Sequence, residues 1–371
     1  MYVNVDWFFL SHRLVIAQNA LKNYINMSVF TDFTKSHILT NYSGFMLRQS
    51  SIRRVNRSLI FLLIEFTSSF FRVVKESPNL IHAVTIKPIL FLGIISRILN
   101  IPFVGSITGL GPAFSSTCFR TTLRLEIIIL IYKFIFSSRE SYIICQSIHD
   151  RDTLIQRNIT SKRQIILIPG SGVDLVKYSP FKNKFYIKPY VFMASRILYD
   201  KGVVEFCNAA RLVNTHMCEK IDFKLAGPID NRSPSSMPLY EVEQLCSSNG
   251  VEYLGNVDCI NELLVSARLF VYPSFYPEGI PKVLLEASAC GVPIVTTDHP
   301  GCRDAIIVNE TGVLVKPYDC NDLANKIVSL LNNPDISRQM GLRGRSLAEE
   351  LYGDELVVDT HYKLYSNMLH N

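Results

Sequence analysis

Short runs of apolar, β-favouring residues alternate along the chain with longer stretches in which apolar positions recur at helical spacing. The apolar runs read NMSVFT, LIHAVT, IPFVGSI, SYIICQS, QIILIP, YVFMAS, DFKLAG, VEYLG, RLFVYPS, VPIVTT and GVLVKP. Strands separated by helices are typical of parallel sheets, because a parallel neighbour requires a long crossover connection. The pattern therefore predicts an α/β fold.

Two α/β units are predicted rather than one. With 371 residues, the chain exceeds the size at which a single hydrophobic core keeps growing. A polar segment, KNKFYIKP, separates two groups of strands, so we place a linker at 178–188, a first domain at 1–178 and a second at 189–345. Residues 346–371 are expected to form a C-terminal helix that can pack back on the first domain. Two such units would leave a cleft facing the carboxyl ends of both sheets, where these folds bind ligands.

The segment between the first two apolar runs has one polar and one apolar face when it is drawn as a helix. The polar face holds Arg54, Arg57, Ser58, Glu65, Ser68, Ser69, Arg72, Lys75 and Glu76, with Phe61 as its one apolar member. We expect the apolar face to pack on the first sheet. Binding of this helix to a membrane surface is the alternative.

Positive charge is concentrated in the first half of the chain. Residues 1–180 contain 20 Lys and Arg against 9 Asp and Glu, whereas the remainder contains 18 against 23. A basic half predicts an anionic partner such as nucleic acid, a phosphorylated substrate or the inner membrane surface. A merely basic surface is the alternative. Because no basic-aromatic stripe or known nucleic-acid module is present, we expect no nucleic-acid partner.

The cysteines and the apolar segments predict the compartment. Nine cysteines without a CxxC pair favour reduced thiols, with neither disulfides nor zinc. The first residues show no basic segment followed by an apolar one, so we expect no signal peptide. The longest apolar run, from Glu126, is interrupted by Lys133 and is too short to span a bilayer. We expect a cytoplasmic protein that touches the inner face of the cytoplasmic membrane without crossing it.

The stretch SFYPEGIPKVLLEASACG carries the first candidate chemistry. It is predicted to leave a strand at Ser274 and to enter a helix at Pro281 that ends near Gly291. The loop FYPEG then lies at the carboxyl end of a strand. We expect amide N–H groups from about Gly279 to Val283, together with the positive end of the helix dipole, to bind phosphate.

Two acids and two cations accompany this loop. Glu278 and Glu286 can accept hydrogen bonds from sugar hydroxyls, of a hexose and a ribose respectively. The alternatives are a helix-start acid for Glu278 and a solvated side chain for Glu286. In SRILYDKG, Arg196 and Lys201 lie on one strand-to-helix loop and could neutralise a diphosphate without a metal. Each cation alone could equally be a surface charge.

These residues resemble the donor domain of the family-four retaining glycosyltransferases, which have the GT-B fold of two Rossmann-like domains. The matching segments are SRILYDKG, LAGP, LGNVD, VYPSFYPEGIPKVLLEASACGVPIVTTD, PGCRDAI and TGVLVKP. The resemblance implies that Arg196 and Lys201 contact the donor diphosphate, that Glu278 lies near the transferred sugar and that Glu286 binds the ribose. The further donor-binding residues that it implies are Ser274, Gly279, Ile280, Pro281 and, near the base, Asn256 and Val257.

The first half is similar to the subgroup that builds bacterial O-antigen, capsule and lipid-linked glycans. The segments are NVDWFFLSHRLVIAQNA, HAVTIKPILFLGIISRILNIPFVGSITGLG and IPGSGVD. The resemblance implies that a loop at Ser11, His12 and Arg13 faces the donor, with His12 joining Glu278, Arg196 and Lys201 as a catalytic residue. It also implies that Lys87 and the segment Thr108, Gly109, Leu110 and Gly111 line the cleft.

Alternatives remain open for this half. His12 could be a helix-start side chain that faces solvent, and Gly109 and Gly111 could serve a tight turn. The chain lacks the Gly-Gly loop and the His-Asp/Glu pair of many relatives, which leaves the acceptor-side catalytic residue open. HDRD, at residues 149–152, has the spacing of a metal site, but we expect Asp150 to cap a helix and no metal or cofactor to be required.

The sequence therefore predicts a retaining glycosyltransferase. The expected donor is a nucleotide diphosphate sugar, most simply a UDP-hexose or UDP-N-acetylhexosamine, and the expected acceptor is an undecaprenyl-diphosphate-linked glycan. A UDP-sugar 2-epimerase of the same fold is one alternative, because it would bind the same donor without an acceptor. A non-catalytic nucleotide-sugar-binding protein is the other.

Overall fold

The computed structural model describes residues 1–34, 47–53, 58–110, 119–180 and 190–370, with the side chains of 119–122 excepted. By its contacts the chain divides into two units. The first unit comprises Met1–Ser171, Pro277–Gly279 and Asp354–Asn371, and the second comprises Gly172–Tyr276 and Ile280–Gly353. The division falls at residue 171 rather than at 178, and most of the predicted linker lies outside the described residues.

The first unit consists of parallel strands connected mainly by helices. Its strands are β1 (Tyr2–Val3), β2 (Val29–Thr31), β3 (Leu47–Gln49), β4 (Ile81–Val84), β5 (Phe103–Ile107), β6 (Ser141–Cys145) and β7 (Ile165–Leu167). Its helices before the second unit are α1 (Asp6–His12), α2 (Leu14–Lys22), α3 (Leu59–Glu76), α4 (Ile86–Leu99), α5 (Phe119–Phe136) and α6 (Ile148–Gln156). In the described residues the strand order is β3-β2-β1-β4-β5-β6-β7. Strands β4 and β5 are buried throughout, as expected for a sheet covered on both faces.

The second unit repeats this architecture. Its strands are β8 (Tyr190–Ala194), β9 (Asp222–Ala226), β10 (Val251–Tyr253), β11 (Ala267–Tyr272), β12 (Ile294–Thr297) and β13 (Gly312–Val315). Its helices are α7 (Val203–His216), α8 (Leu239–Asn249), α9 (Ile260–Ser266), α10 (Lys282–Ala289), α11 (Pro300–Arg303), α12 (Cys320–Asn332) and α13 (Pro334–Leu351). The strand order of the described part, β10-β9-β8-β11-β12-β13, is that of a Rossmann fold.

The chain ends in helix α14 (Asp354–His370), which belongs to the first unit. The sequence placed one helix over residues 346–371. The structure instead ends α13 at Leu351 in the second unit and starts α14 after a break at Gly353. Helix α14 packs beside α2. None of the helices within the described ranges is long and apolar enough to cross a membrane.

All eleven strands predicted from the apolar runs are present, and the α/β fold is confirmed. Strand β3 was missed because it is only three residues long and not fully buried. The predicted cap at Asp150 is wrong. Ser147 caps α6, and its hydroxyl accepts a hydrogen bond from the Asp150 N–H at 3.0 Å. The cap therefore lies one turn earlier than expected, and the serine satisfies the N–H of the residue that was predicted to be the cap.

The predicted packing of α3 is only partly right. Val73 is buried and Phe66 and Phe70 pack against the first-unit core, but Glu65 and Ser69 are buried beside them, whereas most of the apolar face is exposed. The Glu65 carboxylate accepts a hydrogen bond from the Arg53 N–H at 3.2 Å and forms an ion pair with Lys87 at 2.6 Å. These partners offset the cost of removing a charge from water.

Candidate functional site

In the second unit, strands β8 and β11 lie side by side, although three helices and two strands lie between them in the chain. This is the point where the connections leave the sheet in opposite directions, and ligands of such folds bind at the carboxyl ends of the strands there. Arg196 follows β8, and Tyr276 follows β11. The fold therefore brings the loops SRILYDKG and SFYPEG to the same edge of the sheet.

Gly202 holds these two loops together. It has φ +78° at the start of α7, and a Cβ added there would lie 2.2 Å from the Pro273 carbonyl oxygen. A side chain would therefore push the loop after β8 away from the end of β11. This close approach fixes the position of Lys201, the preceding residue.

Lys201 and Arg196 converge on one aromatic ring. Lys201 is only 3% exposed, and its Nζ donates to the Tyr272 hydroxyl at 2.7 Å. The same Nζ lies 4.7 Å from the Tyr276 ring centroid, and the Arg196 guanidinium carbon lies 5.9 Å from that centroid. Tyrosine faces attract cations, so Tyr276 stabilises two positive groups that would otherwise repel each other. Such a pair favours an anion nearby.

Asp230 orients the arginine. The Arg196 Nη1 donates to Asp230 Oδ2 at 2.6 Å, and both side chains are largely buried. Asp230 lies in the loop after β9, the strand on the other side of β8. Sequence reasoning missed both Asp230 and Tyr276. The available signal for Asp230 was an acid shortly after LAGP, beyond the carboxyl end of a neighbouring strand.

Ser274 shapes the loop. Its side chain is fully buried, its hydroxyl donates to the Asp200 carbonyl at 3.3 Å, and the Tyr276 N–H donates to it at 3.2 Å. The Ser274 carbonyl accepts a hydrogen bond from the Thr297 hydroxyl. Because no part of this side chain is exposed, its contribution is to hold Tyr276 in place.

The entrance to α10 supplies fewer amide donors than the sequence predicted. Pro281 is the N-cap residue and has no N–H, and Ile280 is 93% buried beside it. The Gly279 N–H donates to the Thr108 carbonyl at 2.8 Å, within the first unit, to which Pro277–Gly279 belong. We expected available N–H groups from Gly279 onward. That expectation is therefore wrong for Gly279 and for Pro281.

The same contact leaves room only for glycine at position 109. It has φ +124°, and a Cβ there would lie 2.6 Å from the Gly279 nitrogen and 2.7 Å from the Glu278 Cα. The tight turn that the sequence offered as an alternative is thus a close backbone approach. Gly111 lies outside the described residues.

Glu286 lies one turn into α10 and is half-buried rather than solvated. The Tyr178 hydroxyl hydrogen-bonds to its carboxylate. Burial, and after it the negative charge of Glu286, raises the pKa of Tyr178, so the phenol remains a donor. Tyr178 was not identified from the sequence, because 108 residues of chain separate it from its partner.

The base-side residues occupy the loop after β10. Asn256 is exposed, and Val257 is half-buried against the core of the second unit. The adjacent Gly255 carbonyl accepts the Gly227 N–H at 2.7 Å, which ties this loop to the loop after β9. Both predicted residues therefore stand at the same carboxyl edge of the sheet as Arg196.

The first-unit residues do not form the predicted loop. Ser11 and His12 end helix α1, where the Ser11 hydroxyl lies 2.8 Å from the Trp7 carbonyl and 2.5 Å from His12 Nδ1. The His12 ring stacks on Phe8 with 4.2 Å between ring centroids. His12 is thus at a helix end, half-buried, rather than at a helix start facing solvent.

Two of the predicted cleft cations are engaged inside the first unit. Arg13 is 1% exposed and donates to the His12 carbonyl at 3.0 Å, so the expectation that its side chain faces a ligand is wrong. Burial lowers the pKa of Arg13 to about 10. Lys87 forms the ion pair with Glu65 and donates to the Arg53 carbonyl at 2.8 Å. The break between α1 and α2 explains the position of Arg13, because it turns this residue toward the core.

No trio of His, Cys, Asp or Glu suited to a metal ion occurs among the described residues. Cys207 and Cys246 approach to 3.8 Å between sulfur atoms in the core of the second unit and are free thiols. Within the described part, the polar chemistry at the carboxyl edge of the second sheet thus centres on two cations, their tyrosines and Asp230.

Comparison with known proteins identifies the class. The family model described as Glycosyl transferases group 1 matches residues 177–347, the region that holds the cation pair and Glu286. A relative from Campylobacter jejuni, N,N'-diacetylbacillosaminyl-diphospho-undecaprenol alpha-1,3-N-acetylgalactosaminyltransferase, is 32% identical over 71% of this chain and 70% of its own length. The chain belongs to the group 1 glycosyltransferases and is a glycosyltransferase.

Other comparisons agree with this family. The Escherichia coli UDP-Gal:alpha-D-GlcNAc-diphosphoundecaprenol alpha-1,3-galactosyltransferase is 24% identical over 82% of this chain and 77% of its own. The structure of Anabaena HepE in complex with UDP has a TM-score of 0.77 at 17% identity, covering 99% of each chain. The two parallel sheets are those of the GT-B fold, as the sequence predicted.

Proposed function

We propose that this glycosyltransferase moves a hexose or N-acetylhexosamine from a UDP-sugar to an undecaprenyl-diphosphate-linked glycan, with the anomeric configuration retained. The observation that carries the proposal is the convergence of Lys201 and Arg196 on Tyr276 at the strand ends of the second sheet. The relatives' names support the substrates, since both act on diphospho-undecaprenol-linked sugars and one uses UDP-Gal.

The reaction breaks the bond between the anomeric carbon of the donor and the diphosphate oxygen, and forms a bond from that carbon to an acceptor hydroxyl. Negative charge grows on the departing diphosphate in the transition state. Lys201 and Arg196 are cations held in position before the reaction, so they stabilise that charge without reorganisation. The acceptor hydroxyl loses its proton as the new bond forms, so the products are the glycoside, UDP and one proton released to the solvent.

The remaining residues bind and orient the donor in this proposal. Glu286, held by Tyr178, accepts hydrogen bonds from the ribose hydroxyls, and Glu278 does the same for the transferred sugar. Asn256 and Val257 lie near the base, and Gly279, Ile280 and Pro281 form the wall beside the phosphates. Ser11 and His12 are proposed on the acceptor side. We propose no metal or cofactor, because the two cations supply the charge that a metal would supply.

The enzyme is proposed to act at the inner face of the cytoplasmic membrane, where a lipid-linked acceptor resides. The concentration of Lys and Arg in residues 1–180 supports contact with anionic lipid. In this proposal the enzyme contacts the membrane as a peripheral protein and takes the UDP-sugar from solution.

Transfer assays test this function directly. The purified protein is incubated with a panel of UDP-sugars and a synthetic undecaprenyl-diphosphate-linked sugar, with and without EDTA, and the product anomer is assigned by NMR. We expect one UDP-sugar to be consumed, an α-linked product from an α-linked donor, and no loss with EDTA. An inverted anomer contradicts retention, and loss with EDTA contradicts metal independence. Conversion of the UDP-sugar to its 2-epimer without an acceptor would establish the epimerase instead.

A further inference from the structure

The outward face of α3 is built almost entirely of large apolar side chains. They are between 47% and 77% exposed, and they are Leu59, Ile60, Phe61, Leu63, Ile64, Phe71 and Val74. Of these, Ile60, Ile64, Phe71 and Val74 follow helical spacing, with Thr67 completing the stripe. An amphipathic helix normally buries such a stripe, whereas α3 buries a different side, with Val73, Glu65 and Ser69.

Helix α5 presents a second apolar stripe with the same spacing. Leu123, Ile127, Leu130 and Phe134 recur at intervals of four, three and four residues and are 49% to 65% exposed. The opposite side of α5 also carries apolar residues, which enter the first-unit core. A helix that is apolar on all sides is expected to contact a second apolar environment besides the protein core.

Helix α4 packs between α3 and α5 and joins the two stripes into one surface. Phe66 of α3 meets Phe91 of α4 edge to face, with ring centroids 5.8 Å apart. The Arg97 guanidinium of α4 lies 5.5 Å from the ring centroid of the exposed Phe134 of α5. We call the exposed residues of α3, α4 and α5 the outer helical face.

The charges of α3, α4 and α5 are predominantly positive. The three helices contain seven Lys and Arg against three Glu. Each of these acids is paired: Glu65 with Lys87, Glu76 with Arg48, and Glu126 with Arg157 at 3.6 Å. Lys75, Arg124 and Lys133 are exposed beside the apolar stripes. Exposed apolar side chains bordered by cations fit a surface that is apolar below and anionic at its boundary.

We infer that the outer helical face binds the surface of an anionic lipid bilayer, with the α3 and α5 stripes inserted at the acyl boundary and the cations at the headgroups. A second copy of the chain fits less well, because a two-fold contact would place this basic face against itself. An exposed apolar surface of this extent marks an interaction site. This inference assigns a surface to the membrane contact of the proposed function, and it rests on that function for its biological purpose. Lipid binding is nevertheless testable without any transfer reaction.

Vesicle sedimentation provides the test. The full chain is mixed with vesicles of phosphatidylcholine alone or with roughly one-third phosphatidylglycerol. We expect binding to the anionic vesicles that falls at least about tenfold in the double variant Ile64→Gln/Phe71→Gln, since each change removes an inserted apolar side chain. The variant Arg124→Glu/Lys133→Glu is expected to lose the preference for phosphatidylglycerol. The matched control Ile336→Gln/Leu342→Gln, on an exposed part of α13, should bind as the unaltered protein does.

Three results would overturn the inference. The first is equal binding by the unaltered protein and Ile64→Gln/Phe71→Gln, and the second is failure of the unaltered protein to bind anionic vesicles. The third is self-association in sedimentation velocity that the same variant abolishes. Circular dichroism melting confirms that each variant is folded, and transfer to a short-chain, water-soluble acceptor reports the catalytic site separately. Transfer without vesicle binding refutes only lipid binding by the outer helical face. Vesicle binding without transfer refutes only the proposed function.

Discussion

At the residue scale, the candidate site depends on how a buried lysine is held in place. Lys201 has almost no exposed surface, yet its ammonium donates to Tyr272 and lies against the Tyr276 ring. These two contacts hold the ammonium at the carboxyl edge of the second sheet, where its charge is in place for an anionic ligand.

We expect Lys201→Ala to lower kcat on the order of 100-fold while changing donor affinity much less, because the charge on the diphosphate is greatest in the transition state. Steady-state kinetics and calorimetric UDP binding separate the two effects. Lys224→Ala is the matched control, since the Nζ of this lysine also lies over a tyrosine ring, 4.8 Å from the ring centroid of Tyr190, and forms an ion pair with Glu252. Turnover close to normal in Lys201→Ala would contradict the diphosphate assignment.

Glu286 depends on Tyr178 for its orientation. We expect Tyr178→Phe to weaken UDP binding by about tenfold, because one hydrogen bond to a charged group is lost, and Glu286→Ala to weaken it further. Calorimetry with UDP measures both. Tyr352→Phe serves as control, since it removes a buried hydroxyl that donates to the Ala305 carbonyl at 3.3 Å. Unchanged UDP affinity in Tyr178→Phe would show that this tyrosine has no positioning role.

The sequence located the site residues that a local motif carries and missed those that only the fold brings near. Arg196, Lys201 and Glu286 stand in loops and helix starts that apolar runs delimit. Asp230 and Tyr178 reach their partners across 34 and 108 residues, a distance that no local pattern encodes. Arg13 was misplaced for a local reason, because the end of α1 could not be seen from the apolar spacing of SHRLVIAQNA.

At the element scale, α3 shows that a periodic pattern defines two faces without deciding which is buried. The spacing predicted an apolar and a polar face correctly, but the partners of Glu65 lie on other elements, at Arg53 and Lys87. Because the Glu65 carboxylate finds its hydrogen-bond and ion-pair partners on the inward side, the apolar stripe of α3 faces outward. A similar limit applies to β3, which joins the sheet through its ladder with β2 rather than through buried side chains.

The burial of Glu65 predicts a difference between the two glutamates of α3. We expect Glu65→Ala to lower the free energy of unfolding of the first unit by about 2 kcal/mol, because it leaves Lys87 without its buried carboxylate. Glu76→Ala breaks the more exposed pair with Arg48 and should cost less than about 1 kcal/mol. Urea unfolding compares the variants. Equal effects of the two changes would show that Glu65 does not anchor the helix.

At the scale of the whole molecule, the last helix contacts the central strand β4 of its own unit. The His82 Nδ1 of β4 lies 2.6 Å from the Tyr365 hydroxyl of α14, a contact across 283 residues, and its Nε2 lies 2.7 Å from the Ser106 hydroxyl. His361 is also buried, with its Nδ1 2.8 Å from the Val357 carbonyl. The sequence predicted that the C-terminal helix could pack on the first domain, but it contains no motif that would identify this polar contact.

This arrangement predicts a loss of stability in acid. Burial, then His361, Arg13 and the N-terminal amine, hold the pKa of His82 well below its usual range, and burial together with Arg13 lowers the pKa of His361 to about 3. The folded state therefore keeps both imidazoles neutral, whereas the unfolded chain binds protons near pH 6.5. The stabilisation is complete above pH 6.5 and decreases as pH falls below it, by up to about 1.4 kcal/mol per pH unit for each histidine.

Urea unfolding between pH 7.5 and about 4.5 should show this slope, and His361→Phe should reduce it, whereas His216→Gln on the exposed end of α7 should not. A slope that His361→Phe leaves unchanged would mean that other groups, not this buried contact, carry the acid sensitivity.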